Sequence, residues 1–285
     1  AVGAVNESDV MLADASNAPV DVVVVFPLDP EAAPSAELMN NPSGGFESLW
    51  QTQRADWTRL LARPEIDIPE PRLIEVMKSN LAYILINRDG PWFKPGPRNY
   101  NHAWMRDGVL TGAATLRCGI TDMVRDFIVH FARHIREDGW VPWMILEGGN
   151  PVAYNHNPDS GEGHEYDSQG QYPFILRQYL DYSGDEEFVR EMVPGAIQAI
   201  RFARKLRERR MTDEYRTDPD KQAYYGLLPH SNSHEGYYPA RHSYWDGFWL
   251  LRGIKDAIVL AERFGLDDDA VWLRREEESV RRDFY

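Results

Sequence analysis

The chain has 285 residues and a formal net charge of −14, with 45 acidic against 31 basic side chains, 43% hydrophobic residues and 12% aromatic. That supplies a packed core, and it argues against a general nucleic-acid binder or a protein of anionic membrane surfaces, both of which need a basic face. A single cysteine, Cys118, excludes an intrachain disulfide framework and any multi-thiolate metal site.

Residues 1–45 differ from the rest. Val20–Phe26 is a β-branched run of strand length, and Asn40-Asn41-Pro42-Ser43-Gly44-Gly45 reads as a linker or loop. We therefore expect a small N-terminal β segment over 1–45 and a helical domain over 46–285. The first helix spans Phe46 to Leu61 and ends before Pro64. After Pro71, residues Leu73, Val76, Met77, Leu81, Ile84 and Leu85 recur at spacings of three and four, which predicts a helix with one apolar face. Further helices are predicted for Met105–Arg117, for a segment capped by Thr121, and for 168–182, 185–210 and 243–264, with a last one starting near Asp267. Short connections at 118–121, 183–185 and 265–267 alternate with long ones at 87–104, 139–167 and 211–242. Helical hairpins with their long loops gathered at one end follow from that layout, and such loops are where binding residues concentrate. The helical pattern is still running at Tyr285, which reads as a fragment of a longer protein. No apolar run reaches membrane-span length and no basic-then-apolar signal opens the chain, which leaves the compartment open.

Three loop motifs carry the chemistry. Tyr100-Asn101-His102-Ala103-Trp104-Met105-Arg106-Asp107 sits where a long loop enters a helix. Asp107 suits a helix dipole there, but Arg106 with Asp107 also suits gripping neighbouring hydroxyls, and Trp104 offers a stacking face. His164-Glu165-Tyr166-Asp167-Ser168-Gln169-Gly170-Gln171 sits at a second junction. There Asp167 or Ser168 could be a plain N-cap, with Gln171 completing a capping box, yet the polar density exceeds what a cap requires. The third runs from Gly226 to Tyr237, holds His234 and Glu235, and leads into Tyr244-Trp245-Asp246. A glutamate acid needs burial against apolar groups to raise its pKa, and Tyr237, Tyr238 and Trp245 are at hand; Asp246 reads as a helix start. There is no His-Glu-x-x-His pattern, phosphate-binding glycine loop or nucleophile elbow, so neither a metal nor another cofactor is expected.

In this order, on a helical-hairpin background, the motifs resemble the six-hairpin glycosidases with an (α/α)6 toroid, and in particular the glucoamylase-like enzymes of glycoside hydrolase family 15. Trp104-Met105-Arg106-Asp107 matches that family's Trp-x-Arg-Asp motif, and Asp167-Ser168-Gln169-Gly170-Gln171 its Asp-x-x-Gly-(Glu/Gln) element. Glu235 is the best match to the general acid, although its loop is longer and lacks the family's Trp-Glu dipeptide. The resemblance covers roughly residues 70–285 and implies a mainly α fold of toroid-type hairpins, incomplete at about three hairpins plus one helix. It implies an inverting exo-glycosidase acting on an α-linked glucan or oligosaccharide. Glu235 would be catalytic; Trp104, Arg106, Asp107, Asp167, Gln171, His234 and Trp245 would bind the carbohydrate. An inverting hydrolase also needs a second carboxylate across the ring, and in the family that base lies beyond the equivalent of Tyr285. A further chain segment or subunit would then complete the toroid. Two alternatives stay open: an inverting sugar phosphorylase, with Arg241 and His242 as cations for phosphate, and a non-catalytic carbohydrate-binding protein.

Overall fold

The computed structural model describes residues 35–153, 164–233 and 239–284. The chain divides into two compact units, 1–63 and 64–285. In the first, the strand expected at Val20–Phe26 lies outside the described residues. Two helices follow it, α1 (Ala36–Asn40) and α2 (Pro42–Ala62). The stretch expected to be a linker is therefore a helix start. Asn41 Oδ1 accepts from the Gly44 amide at 3.2 Å, and Pro42 occupies the first helical turn, where its missing N–H costs nothing. Asn-Pro-Ser-Gly-Gly has the composition of a loop, but its first two residues are a cap and an N1 proline.

The second unit opens with α3 (Pro71–Ile86). Of its expected apolar face, Leu81 and Leu85 are buried, whereas Leu73 and Val76 are 59% and 50% exposed. Two short strands, β1 (Arg88–Asp89) and β2 (Trp92–Phe93), pair antiparallel, and β3 (Ala103–Trp104) leads into α4 (Met105–Arg117). Then come α5 (Asp122–Ala132), β4 (Met144–Ile145), α6 (Ser168–Ser183), α7 (Glu186–Glu208) and the single-turn α8 (Asp213–Thr217). The last hairpin is α9 (Tyr244–Arg263) and α10 (Asp267–Phe284). The three hairpin turns are tight, with Gly119, Gly184 and Gly265 each at a positive φ near 70°.

Helix α6 lies between α4 and α9, while α5, α7 and α10 back this row. Phe127, Phe131, Tyr172, Ile175, Val193, Ile200, Leu250 and Ile254 belong to one continuous core between the layers. Two glycines let α6 and α9 approach: a Cβ on Gly170 would collide with the Trp249 carbonyl, and one on Gly253 with the Gly170 backbone. At the back, the buried Arg207 of α7 pairs with Glu276 and with Asp283 of α10, and donates to the Gly226 carbonyl at 2.7 Å.

The long loops interlock at one end. Strands β3 and β4 pair antiparallel, and the Met105 amide donates to the Trp143 carbonyl at 2.9 Å, so loop 139–167 shapes the entry to α4. Gln169 in the first turn of α6 treats Val141 as a strand partner: its Nε2 donates to the Val141 carbonyl and its Oε1 accepts the Val141 amide. The Asn232 amide donates to the His164 carbonyl at 2.8 Å.

Candidate active site

Helices α4, α6 and α9 begin at that same end, and Asp167 joins all three. It occupies the N-cap place of α6 but caps nothing. Its Oδ2 instead accepts from Arg106 Nη1 of α4 at 3.0 Å, Gln171 Nε2 of α6 at 2.9 Å and Trp245 Nε1 of α9 at 2.8 Å. The capping reading thus fails on geometry: the side chain leaves the backbone amides of its own helix uncapped and is buried among side-chain donors from three helices. Gln171 accordingly reaches back to Asp167, while the Ser168 hydroxyl is spent on the Val141 carbonyl.

Arg106 also pairs with Glu165 Oε2 at 2.5 Å. Burial alone would lower the Arg106 pKa, but Asp167 and Glu165 outweigh it and hold the guanidinium charged. Glu165 is pushed up to about 7, first by burial, then by the Asp167 charge, with Arg106 pulling against both and Asp107 adding a little. This raised value makes folding pH-dependent. Between the ordinary value of 4.5 and about 7, the folded state holds a proton that the unfolded chain has released, so stability falls as pH rises through that window. Glu165→Gln removes this component. Urea midpoints from pH 4 to 8 are expected to decline less steeply in the variant; parallel declines would show that Glu165 titrates normally.

Asp246, one residue after Trp245, is fully buried. Its Oδ2 accepts from the Ser231 hydroxyl at 2.6 Å, and its Oδ1 has no hydrogen-bond partner among the described residues. Burial pushes its pKa well above the carboxylate range, the nearby Asp167 charge adds to that, and the Ser231 and Ser233 hydroxyls pull the other way.

The expected residues are thus distributed unevenly. Arg106, Asp167, Gln171 and Trp245 meet at one point. Asp107 stands in the first turn of α4, close enough for its charge to act on Glu165. The Trp104 ring contacts Tyr100 and His102 at 6.0 and 5.6 Å between centroids, forming an aromatic group at the entry to α4. Glu235 and His234 lie outside the described residues. Glu165 and Asp246 escaped selection from the sequence. The first was one polar residue among many in its motif, and the second had a sufficient alternative in the dipole of its helix. Among the described residues, no group of three or more His, Cys, Asp or Glu could hold a metal ion. None of the described helices is long and apolar enough to cross a membrane.

No known protein family matches the chain, and no curated protein does either. Among solved structures, it is similar to a rhamnosidase from Klebsiella oxytoca with rhamnose bound, at a TM-score of 0.57 and 21% sequence identity. The fold is of the (α/α) toroid type. The match covers 77% of this chain but only 39% of the rhamnosidase, so the toroid-type hairpins described above correspond to part of that larger chain.

Proposed function

We propose that this chain belongs to a glycoside hydrolase and forms part of its sugar-binding site. The observation that carries the reading is the convergence of Arg106, Asp167, Gln171 and Trp245 at the N-terminal ends of three neighbouring helices. A planar cation, carboxylates, an amide and an indole are the side chains that hold and face a sugar ring. Among the described residues, Gln171 Oε1 is buried without a hydrogen-bond donor, an unmet acceptor at the point where the three helices join. The likeness to a rhamnosidase supports the broad class. The Trp104-x-Arg106-Asp107 motif supports the narrower glucoamylase-like reading, an inverting exo-enzyme on an α-linked glucan or oligosaccharide.

In this reading Glu235 protonates the leaving oxygen, Arg106 and Asp107 hold hydroxyls of the terminal sugar, Asp167, Gln171 and Trp104 shape the first subsite, His234 borders it, and Trp245 presents its ring. The general base comes from a further chain segment or subunit that completes the ring. Apolar side chains at both edges of the helical row support that: Leu73 and Val76 on α3, and Tyr244 and Phe248 on α9, are at least half exposed. The phosphorylase alternative weighs less. Burial lowers the His242 pKa to about 4, leaving the ring neutral at pH 7, and Arg241 is exposed.

The test is sugar release from α-linked oligosaccharides and from aryl rhamnosides, with and without phosphate, by the full-length protein. Phosphate-independent release that drops by about 10³-fold or more in Glu235→Gln is expected, the scale of losing a general acid with its positioning. Release only with phosphate would favour phosphorolysis, and sugar binding without turnover would favour the non-catalytic alternative.

A further inference from the structure

The first turn of α9 grips the entry to α6 twice. Trp245 does so directly, through its indole bond to Asp167. The neighbouring Asp246 does so through a relay. Its Oδ2 accepts a hydrogen bond from the Ser231 hydroxyl at 2.6 Å, and Ser231 Oγ in turn accepts from the Ser233 amide at 3.4 Å. Ser233 Oγ then accepts the Tyr166 amide at 3.0 Å, between Glu165 and Asp167. The same segment is clamped on its other sides. Ser231 and Arg241 exchange both backbone hydrogen bonds, at 2.8 and 3.1 Å, and the Asn232 amide reaches the His164 carbonyl. Ser231, Ser233, Asp167 and Asp246 are each at most 1% exposed. Such burial is costly for polar groups unless hydrogen bonds compensate it, and the relay supplies them.

We infer that Asp246 is a positioning residue: through Ser231 and Ser233 it sets the backbone of residues 164–167, and so the placement of the Glu165 and Asp167 carboxylates around Arg106. Its carboxyl is enclosed, so it acts on a ligand through those two residues. Trp245 and Asp246 together make one turn of α9 the template for the site, with two adjacent polar contacts at the start of the helix.

Only the ligand arm of the test rests on the proposed sugar site; amide exchange at Tyr166 and Asn232 does not. In Ser231→Ala and Asp246→Ala, exchange at both amides is expected to accelerate by about tenfold or more, as local opening becomes easier. The double variant should be no faster than the quicker single one, because both changes break the same relay. Asp246→Asn keeps an oxygen for Ser231 and places its amide where Oδ1 has no hydrogen-bond partner among the described residues, so it should retain slow exchange. In the ligand arm, rhamnose and glucose are titrated calorimetrically. Affinity for whichever binds the wild type should fall about tenfold in Ser231→Ala, the loss of one well-placed hydrogen-bond link, and be kept in Asp246→Asn. Unchanged exchange in both Ser231→Ala and Asp246→Ala overturns the inference. So does a silent Ser231→Ala beside an Asp246→Asn variant that binds sugar but releases none, because Asp246 would then touch the reacting atoms. If neither sugar binds the wild type, the functional reading fails and the exchange result still decides the relay.

Discussion

Asp167→Ala is expected to destabilise the helical unit by about 3–5 kcal/mol, the range for removing one partner of a buried ion pair, and to abolish carbohydrate binding. The carboxylate is 1% exposed and accepts three hydrogen bonds at one oxygen, from α4, α6 and α9. Removing it leaves the Trp245 indole and the Gln171 amide without this acceptor, and leaves Arg106 with Glu165 as its remaining anionic partner in the cluster. Each consequence carries its own cost, because a buried donor forgoes water without gaining a partner. Urea unfolding monitored by circular dichroism measures the stability term, and calorimetric titration with the sugar that binds the wild type measures the other. A loss below about 1 kcal/mol, the size of an ordinary surface contact, would mean that the three helices are not joined through this residue.

The second large effect concerns a residue with no side chain. Gly170→Ala forces α6 and α9 apart, because the new methyl would overlap the carbonyl carbon and oxygen of Trp249 and crowd the Leu250 amide. Backbone atoms inside a packed helix cannot rotate aside, so the penalty is expected at or above the upper end of the about 1–3 kcal/mol range for overpacking. Function should suffer with it, since Trp245 and Asp167 meet one turn from this contact. Gly112→Ala in α4 is the control. Its Cβ would meet Ile175 Cδ1 at 3.5 Å, an ordinary contact, so the substitution is expected to be neutral or stabilising by up to about 1 kcal/mol from helix propensity alone. Thermal melts of the two variants side by side decide the matter; similar melting temperatures would contradict the close approach of α6 and α9.

How much of this was visible in the chain depends on the range of the interaction. The hairpins were legible because apolar residues at helical spacing and glycine-marked turns are local signals; Gly119, Gly184 and Gly265 sit where the short connections were placed. The start of α2 misled because Asn-Pro-Ser-Gly-Gly has the composition of a loop, and its cap and N1 proline are distinguished only by the helix that follows. The exposed Leu73 and Val76 show the limit of periodicity: it defines a face but not whether another helix covers it.

The candidate site divides in the same way. By itself the sequence determined the class of fold and three polar motifs in a set order, because those depend on near neighbours. Only the tertiary structure decided that Asp167 leaves the amides of its own helix uncapped and reaches Arg106, 61 positions away, and Trp245, 78 away. It also decided that Glu165 is a largely enclosed carboxyl and Asp246 a fully buried one, rather than solvated or dipole-serving ones. Desolvation and ion pairing act through space, and the groups responsible are brought together by packing that no local pattern encodes.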